Sequence, residues 1–466
     1  MNSPASTPLP QQTVDELHAE LSRVGIVPLD QKVNGEAPIS QLRRSRRLMV
    51  DDSVTLMTLV EVDGVWFWQE GLATLGVPGR RAGFGLTTLF GGTPVTTVKL
   101  EKLGTNQIAS LLQDMDQKFG SAAVEAERAP DKARQWPALR QWQNGKLVPT
   151  DSVVPSGKIL VFVHGTFSNN DNLFDNLNVP ENAAGQQFLA DLLKKDSAGK
   201  TLNYDQVLTF DHYTVSRSPV LNALELARIM ATSTADVDII CHSRGGLVTR
   251  WFMEVFDRPN RNHRRAVLVG SPLHGTSLAA PDRIRNSIDL FTNIGKELGT
   301  ALTLIPFTQV AGSLMKLVFS VGNVVSKVPL MDAAVSMIPG LAAMSRVENN
   351  YELTALSQRA SLPLQYFAVT SEFTPPPLGW KFWNIFCGFG QRAAAAADNL
   401  IFRDAGGNPC KNDLVVDTLS MTEYAFPANP PVDSVFTFGP DDHVFHTAYF
   451  QQAKTIDFIR KSLGIK

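Results

Sequence analysis

Cysteine is scarce in this sequence. Its 466 residues hold three, Cys241, Cys387 and Cys410, which cannot all pair and show no metal-ligand spacing. That argues against a disulfide framework or a metal centre and toward a reducing compartment. Neither sign of charge is in excess. Against 43 Lys and Arg stand 45 Asp and Glu, a net charge of -2, which offers no electrostatic footprint for nucleic acid. Long apolar runs are missing too, since none reaches the roughly eighteen residues that begin to suggest a membrane span. Met1 to Glu20 is polar and carries no signal-peptide core. The expectation is a cytoplasmic protein, with export by a route that needs no cleaved signal left open. There is no internal repeat. What remains, 44% apolar and 19% charged, describes an ordinary globular chain long enough for two or three domains.

Residues 1–150 read as a small α+β module of unknown role. Met1 to Gln12 is a tail rich in Pro, Ser and Thr. Val14, Leu17, Leu21 and Val24 have helical spacing, and Ser53 to Glu70 reads as a hairpin about Asp63-Gly64. Thr96 to Leu100 is a further strand candidate and Ile108 to Phe119 a further helix. No constellation in this region suggests chemistry. Gln141 to Lys158 is polar and punctuated by Gly145, Pro149, Pro155 and Gly157, so the boundary is placed there.

From 156 to 466 the texture changes to buried strands alternating with helices. Strands are expected at Ile159–Phe162, Gln206–Phe210, Val237–Cys241, Ala266–Val269, Leu364–Thr370 and Val435–Phe438. Helices are expected at Gln186–Lys195, Leu221–Ala231, Leu247–Phe256 and, at the end, Ala448–Leu463. The alternation implies an α/β fold with a mostly parallel sheet covered on both faces. Two apolar insertions, at about 283–346 and 375–412, interrupt it.

Chemistry centres on Cys241-His242-Ser243-Arg244-Gly245, a variant of G-x-S-x-G between a short buried strand and an amphipathic helix. A serine at such a turn is pushed outward, and the positions two before and two after it must be small because strand and helix nearly collide. The plain alternative is a serine capping a core helix. A serine nucleophile needs a base, and the base needs an orienting group. Eight histidines make that search short. His443 and His446 follow the last strand, which gives the chain order Ser…Asp/Glu…His. His164 and His274 also follow strands.

Four segments carry a resemblance: Val163-His164-Gly165-Thr166, Cys241 to Gly246, Gly270-Ser271-Pro272-Leu273-His274-Gly275-Thr276, and Asn412-Asp413-Leu414-Val415-Val416. In this order and spacing they resemble the α/β-hydrolase superfamily and, within it, the bacterial lipase and esterase-like branch. The last segment has Leu414 where those lipases have glycine. The resemblance covers 156–466 and implies roles. Ser243 is the nucleophile and Asp413 the acid, with Asp417 as the other candidate. His446 is the base, with His443 as the other candidate. The backbone N–H groups of Thr166 and Arg244 form the oxyanion hole.

Phe167 and, in the second insertion, Trp383 and Phe386 are candidate substrate contacts. The insertions would form a lid over an apolar acyl pocket, able to touch a membrane surface transiently. The expected substrate is a small-molecule ester or lipid, with no cofactor, no metal and no nucleic acid partner. The same triad would serve an acyltransferase, a thioesterase or a peptidase. The non-enzymatic alternative is an inactive hydrolase fold serving as an interaction module.

Overall fold

The computed structural model describes residues 11–29, 54–62, 65–70, 93–101, 105–120, 137–257, 264–279, 287–289, 291–292, 304–321, 338–346, 350–357, 364–373, 410–423 and 432–466. The chain divides into two compact units. One comprises Leu112–Ala280, Ser336–Thr374 and Phe402–Lys466; the other comprises Met1–Leu111, Pro281–Val335 and Pro375–Ile401.

The first of these is built on an eight-stranded sheet. In chain order its strands are β1 (Ala138–Gln143), β2 (Lys146–Pro149), β3 (Lys158–Val163), β4 (Gln206–Asp211), β5 (Asp236–His242), β6 (Arg264–Val269), β7 (Gln365–Ser371) and β8 (Val432–Phe438). Their order across the sheet is β2-β1-β4-β3-β5-β6-β7-β8. From β4 to β8 all neighbours are parallel; β1 runs antiparallel to both β4 and β2. The helices are α1 (Asn170–Asn178), α2 (Ala183–Asp191), α3 (Pro219–Ile229), α4 (Gly245–Trp251), α5 (Tyr351–Ser357) and α6 (Ala453–Leu463). This is the α/β-hydrolase fold.

Strand β3 shows why the sheet is buried on both sides. Alternate residues of a strand face opposite ways. Ile159, Val161 and Val163 enter one core with Ala223 and Leu226 of α3 and Val248 of α4. Leu160 and Phe162 enter the other, with Leu173 and Leu177 of α1, Phe188 of α2 and Ile456 and Ile459 of α6. A strand covered on both faces has no position for a polar side chain, hence the unbroken apolar run.

The expected boundary is displaced. The stretch read as a linker contains the end of β1 and all of β2. Asn144 and Gly145, at φ +52° and +76°, form the two-residue turn that a right-twisted hairpin needs. The hairpin is polar because positions such as Gln143 and Lys146 are exposed at the sheet margin. The part of helix Thr105–Gly120 from Leu112 onward also belongs to this unit. At the other end, α6 starts at Ala453 rather than Ala448, and a short 3-10 turn at Tyr449–Gln451 precedes it.

The other unit holds a four-stranded antiparallel sheet, ordered Val27–Leu29, Thr93–Glu101, Val54–Val62, Val65–Glu70. Helices Gln11–Arg23 and Leu304–Val321 pack together, with Gly312 so close that a Cβ on it would meet Val24 at 2.9 Å. The Trp68 indole donates to Thr292 Oγ1 at 3.0 Å, and its backbone N–H donates to Asp289 at 2.9 Å. Described residues of the first insertion up to Val321 thus pack with the N-terminal strands, whereas 338–346 belong to the hydrolase unit. Among the described residues no helix is long and apolar enough to cross a membrane.

Candidate active site

The site is assembled at the ends of β3, β5, β7 and β8. Strand β5 ends at His242 and α4 begins at Gly245, so the chain reverses within two residues. Ser243 takes φ +53°, a left-handed conformation that costs a non-glycine residue about 1 kcal/mol. Its N–H donates to Val269 O at 2.9 Å, and its carbonyl accepts from Gly246 N. Gly245 is required by space: a Cβ there would lie 2.4 Å from Val163 O. Cys241, two residues before the serine, points into the core, where its Sγ contacts Val267 O at 3.5 Å. Burial pushes its thiol up to about 12, so it remains protonated and inert.

The loop after β3 comes up against the serine, with any Cβ on Gly165 falling 2.7 Å from that of Ser243. Thr166 follows, its hydroxyl on Met344 Sδ at 3.1 Å. Phe167 takes φ +52°, and its N–H donates to Thr214 Oγ1 at 3.3 Å. Behind the loop, His164 Nε2 accepts from His212 N at 3.1 Å, so its proton sits on Nδ1 and donates to Gly165 O at 2.9 Å. Burial lowers His164 to about 4 and keeps it neutral. It supports the loop and moves no proton.

A buried ion cluster lies below. Arg140 of β1 donates to Asp211 Oδ2 at 2.5 Å and to Asp171 at 2.6 Å, while Asp211 Oδ1 accepts from Asn170 N and Nδ2. Burial alone would raise the Asp211 carboxyl, but the Arg140 guanidinium, with Asn170 donating as well, holds it below its ordinary value. Arg140 lies just before the stretch read as a linker and went unsuspected; the Asn144-Gly145 turn signal was the clue to the hairpin that carries it.

On the other side of Ser243, the two remaining chemical groups meet. His446 Nδ1 lies 2.7 Å from Asp413 Oδ2. The same oxygen accepts from the Tyr449 hydroxyl at 2.9 Å, and Oδ1 accepts from Val415 N at 3.0 Å and Val416 N at 2.8 Å. A carboxylate with two oxygens can satisfy four donors, and here all four are present. Burial first, then the Asp413 charge, raises the Tyr449 phenol well above its usual range, so it stays a donor. Because the carboxylate only accepts, the imidazole proton is on Nδ1 and the lone pair is on Nε2. A Cβ on Gly270, the residue after Val269, would lie 3.3 Å from His446 Cε1, which sets the imidazole one strand from the elbow.

His242 braces this arrangement. Its Nε2–H donates to His446 O at 2.8 Å and the two rings pack 4.7 Å apart. Burial, then the adjacent His446, lowers it to about 3. Neither His242 nor Tyr449 was expected to contribute here.

The alternative candidates lie elsewhere. Asp417 accepts from Ser277 Oγ at 2.9 Å and Arg346 Nη2 at 3.3 Å, tying the loop after β6 to residue 346. His443, at φ +52°, caps the turn Pro440–Asp442. Leu414 takes φ +78°, the conformation for which a glycine is expected at that position. Trp383 and Phe386 lie outside the described residues. Among the described residues no three His, Cys, Asp or Glu side chains gather as metal ligands, and Asp442 is paired with Lys454 instead.

Residues 127–464 match a known family, and so every chemical group just described falls within the matched region. The chain belongs to the family described as Domain of unknown function (DUF7379). No curated protein matches the chain. Among solved structures, it is similar to the mature form of Bacillus licheniformis lipase BlEst2, at 15% identity and TM-score 0.36 over 68% of this chain and 95% of that one. It is also similar to lipase 1 from Pelosinus fermentans, at 13% identity and TM-score 0.38 over 67% and 98%. A third is phospholipase PlaB from Legionella pneumophila, at 12% identity and TM-score 0.34 over 66% and 60%. The DUF7379 region begins after helix Thr105–Gly120 and takes in β1 to β8.

Proposed function

We propose that this chain is a serine hydrolase of carboxylic esters with an apolar acyl group, using Ser243, His446 and Asp413. The observation that carries the reading is the 2.7 Å contact of His446 Nδ1 with a fully hydrogen-bonded Asp413, one strand from a serine held at φ +53°. Asp413 fixes the tautomer and His446 Nε2 takes the proton of Ser243 Oγ as that oxygen attacks the ester carbonyl. The negative charge that develops on the carbonyl oxygen is met by the N–H groups of Thr166 and Arg244. As the tetrahedral intermediate collapses, His446 returns the proton to the leaving alkoxide and an alcohol departs. Water then attacks the acyl-enzyme with His446 again as base, releasing the acid and restoring Ser243.

The preference for an apolar acyl group is supported by Phe167 and Met344, which set apolar surface against the oxyanion loop. Each methylene buried there contributes about 0.8 kcal/mol, so kcat/KM should rise from acetate to butyrate and hexanoate esters.

The test is a fluorophosphonate probe together with p-nitrophenyl ester turnover. Wild type should be labelled and active; Ser243→Ala should be unlabelled and slower by ~10^4-fold or more with its fold kept. Near-wild-type turnover in Ser243→Ala removes the triad. A wild type that is both inert and unlabelled makes the chain an inactive interaction module.

A further inference from the structure

The turn Tyr213–Arg217 after β4 is gripped from two sides. Asp116, fully buried on helix Thr105–Gly120, takes its donors. Its Oδ1 accepts from Thr214 N at 2.6 Å, Thr214 Oγ1 at 3.0 Å and Val215 N at 2.9 Å. Its Oδ2 accepts from Ser216 N at 2.8 Å and Ser216 Oγ at 2.6 Å. From the other side Arg244, whose guanidinium is also fully buried, donates to Tyr213 O at 3.4 Å and Arg217 O at 2.5 Å. An aspartate in the last turns of a helix opposes the partial negative charge of that end. Asp116 stands there against its local preference, and five donors compensate it.

The grip reaches both sides of Ser243. The Thr214 hydroxyl gives its hydrogen to Asp116, which leaves its oxygen free to accept the Phe167 N–H at 3.3 Å. The same helix end makes two more ties to this loop: the Phe119 ring meets Phe167 edge-on at 5.2 Å, and Phe119 O accepts from Asn169 Nδ2 at 2.8 Å. Phe167 follows Thr166, and Arg244 follows Ser243. We infer that Asp116 is a positioning residue that, through Thr214 and the Tyr213–Arg217 turn, sets the two backbone N–H groups of the oxyanion hole. This inference rests on the esterase reading above. It places a working part of the site before residue 127, outside the region that matches the family.

The test uses the full chain with Asp116→Asn, Thr214→Val and Thr214→Ser. Four quantities are read: kcat and KM for p-nitrophenyl butyrate, the affinity of an alkylboronic acid that forms a tetrahedral adduct on the serine, and the melting temperature. Outright removal of an oxyanion donor costs about 10^2- to 10^3-fold in kcat, so misplacing the donors should cost about 10- to 100-fold. That loss should appear in kcat and in boronate affinity alike, with KM within about 3-fold. Thr214→Ser keeps the hydroxyl and should keep wild-type kcat. Where Asp116→Asn does not fold, Thr214→Val against Thr214→Ser decides.

A folded Thr214→Val with wild-type kcat and boronate affinity overturns the inference, as does a loss confined to KM. If in that case wild type still labels with fluorophosphonate at Ser243, only the positioning role has failed. An inert, unlabelled wild type overturns the esterase reading and this inference with it.

Discussion

Asp413 and Asp116 are both fully buried carboxylates with their oxygens occupied, and they differ in what occupies them. Asp116 faces three backbone N–H groups and two aliphatic hydroxyls, none of which changes charge near neutral pH. Asp413 faces two backbone N–H groups, a phenol and an imidazole. The first set makes a clamp, since it fixes where atoms are. The second also fixes where a proton is, because the carboxylate accepts from the imidazole and so holds its proton on Nδ1. Burial and a full complement of hydrogen bonds therefore do not mark a catalytic acid; a titratable donor among them does.

The largest break in that contrast should come from Asp413→Asn. An amide can donate to Nδ1, which moves the imidazole proton to Nε2 and removes the lone pair that the proposed mechanism requires there. We expect kcat to fall by ~10^4-fold with the fold intact. His446→Ala should match it, whereas His443→Ala and Asp417→Asn should stay far closer to wild type. A loss in Asp413→Asn no larger than that in Asp116→Asn would erase the distinction between the two carboxylates.

A smaller effect should appear in stability on acidification. One neutral histidine braces each side of the serine: His164 through Gly165 O, lowered to about 4, and His242 through His446 O, lowered to about 3. An unfolded histidine binds its proton near pH 6.5. The unfolded state therefore holds more protons as pH falls below that value, and the folded state loses ground. The stability is full above about pH 6.5 and drops by about 2 kcal/mol per histidine by pH 5. Urea midpoints from pH 7.5 to 5, measured on Ser243→Ala, should show the drop. His242→Phe should lose part of it, and an unchanged slope would mean that His242 is not buried as described.

The smallest effect should come from Tyr449→Phe, which removes one of the four donors to Asp413. The cost should be about 1 kcal/mol in stability and under about 10-fold in kcat. A loss approaching that of Asp413→Asn would make the phenol a partner of the imidazole in positioning the carboxylate.

Much of this was legible in the sequence. All six expected strands from 159 to 438 appear in the sheet, because their apolar runs are too short for helices and two covered faces leave no polar positions. Ser243 and the pair His443 and His446 followed from where turns fall after strands, whereas Asp413 and the choice of His446 came from the resemblance to lipase segments. The rest was hidden for physical reasons. Asp116 lies about a hundred positions from the turn it binds, and no local pattern reports such a contact. The β1–β2 hairpin looked like a linker because it is polar, although Asn144-Gly145 is a strong turn signal. Helix α6 was begun too early because the helical spacing continues through Tyr449, which is used instead in a 3-10 turn that brings its hydroxyl to Asp413.

The same hairpin also closes the sheet. Strand β2 is four residues long, begins with Lys146 and ends with Pro149, which has no N–H to offer. A sheet margin of this kind is a poor template for another chain, because a short strand with a charge at one end and a missing donor at the other cannot seed a continued ladder. Strand β1 behind it is six residues long. A chain rebuilt from Ser156 would carry Ser243, Asp413 and His446, yet would lack both strands of the hairpin and expose the six-residue β4 as its margin. Trimming the protein to its apparent catalytic part would thus trade a guarded margin for one that invites self-association.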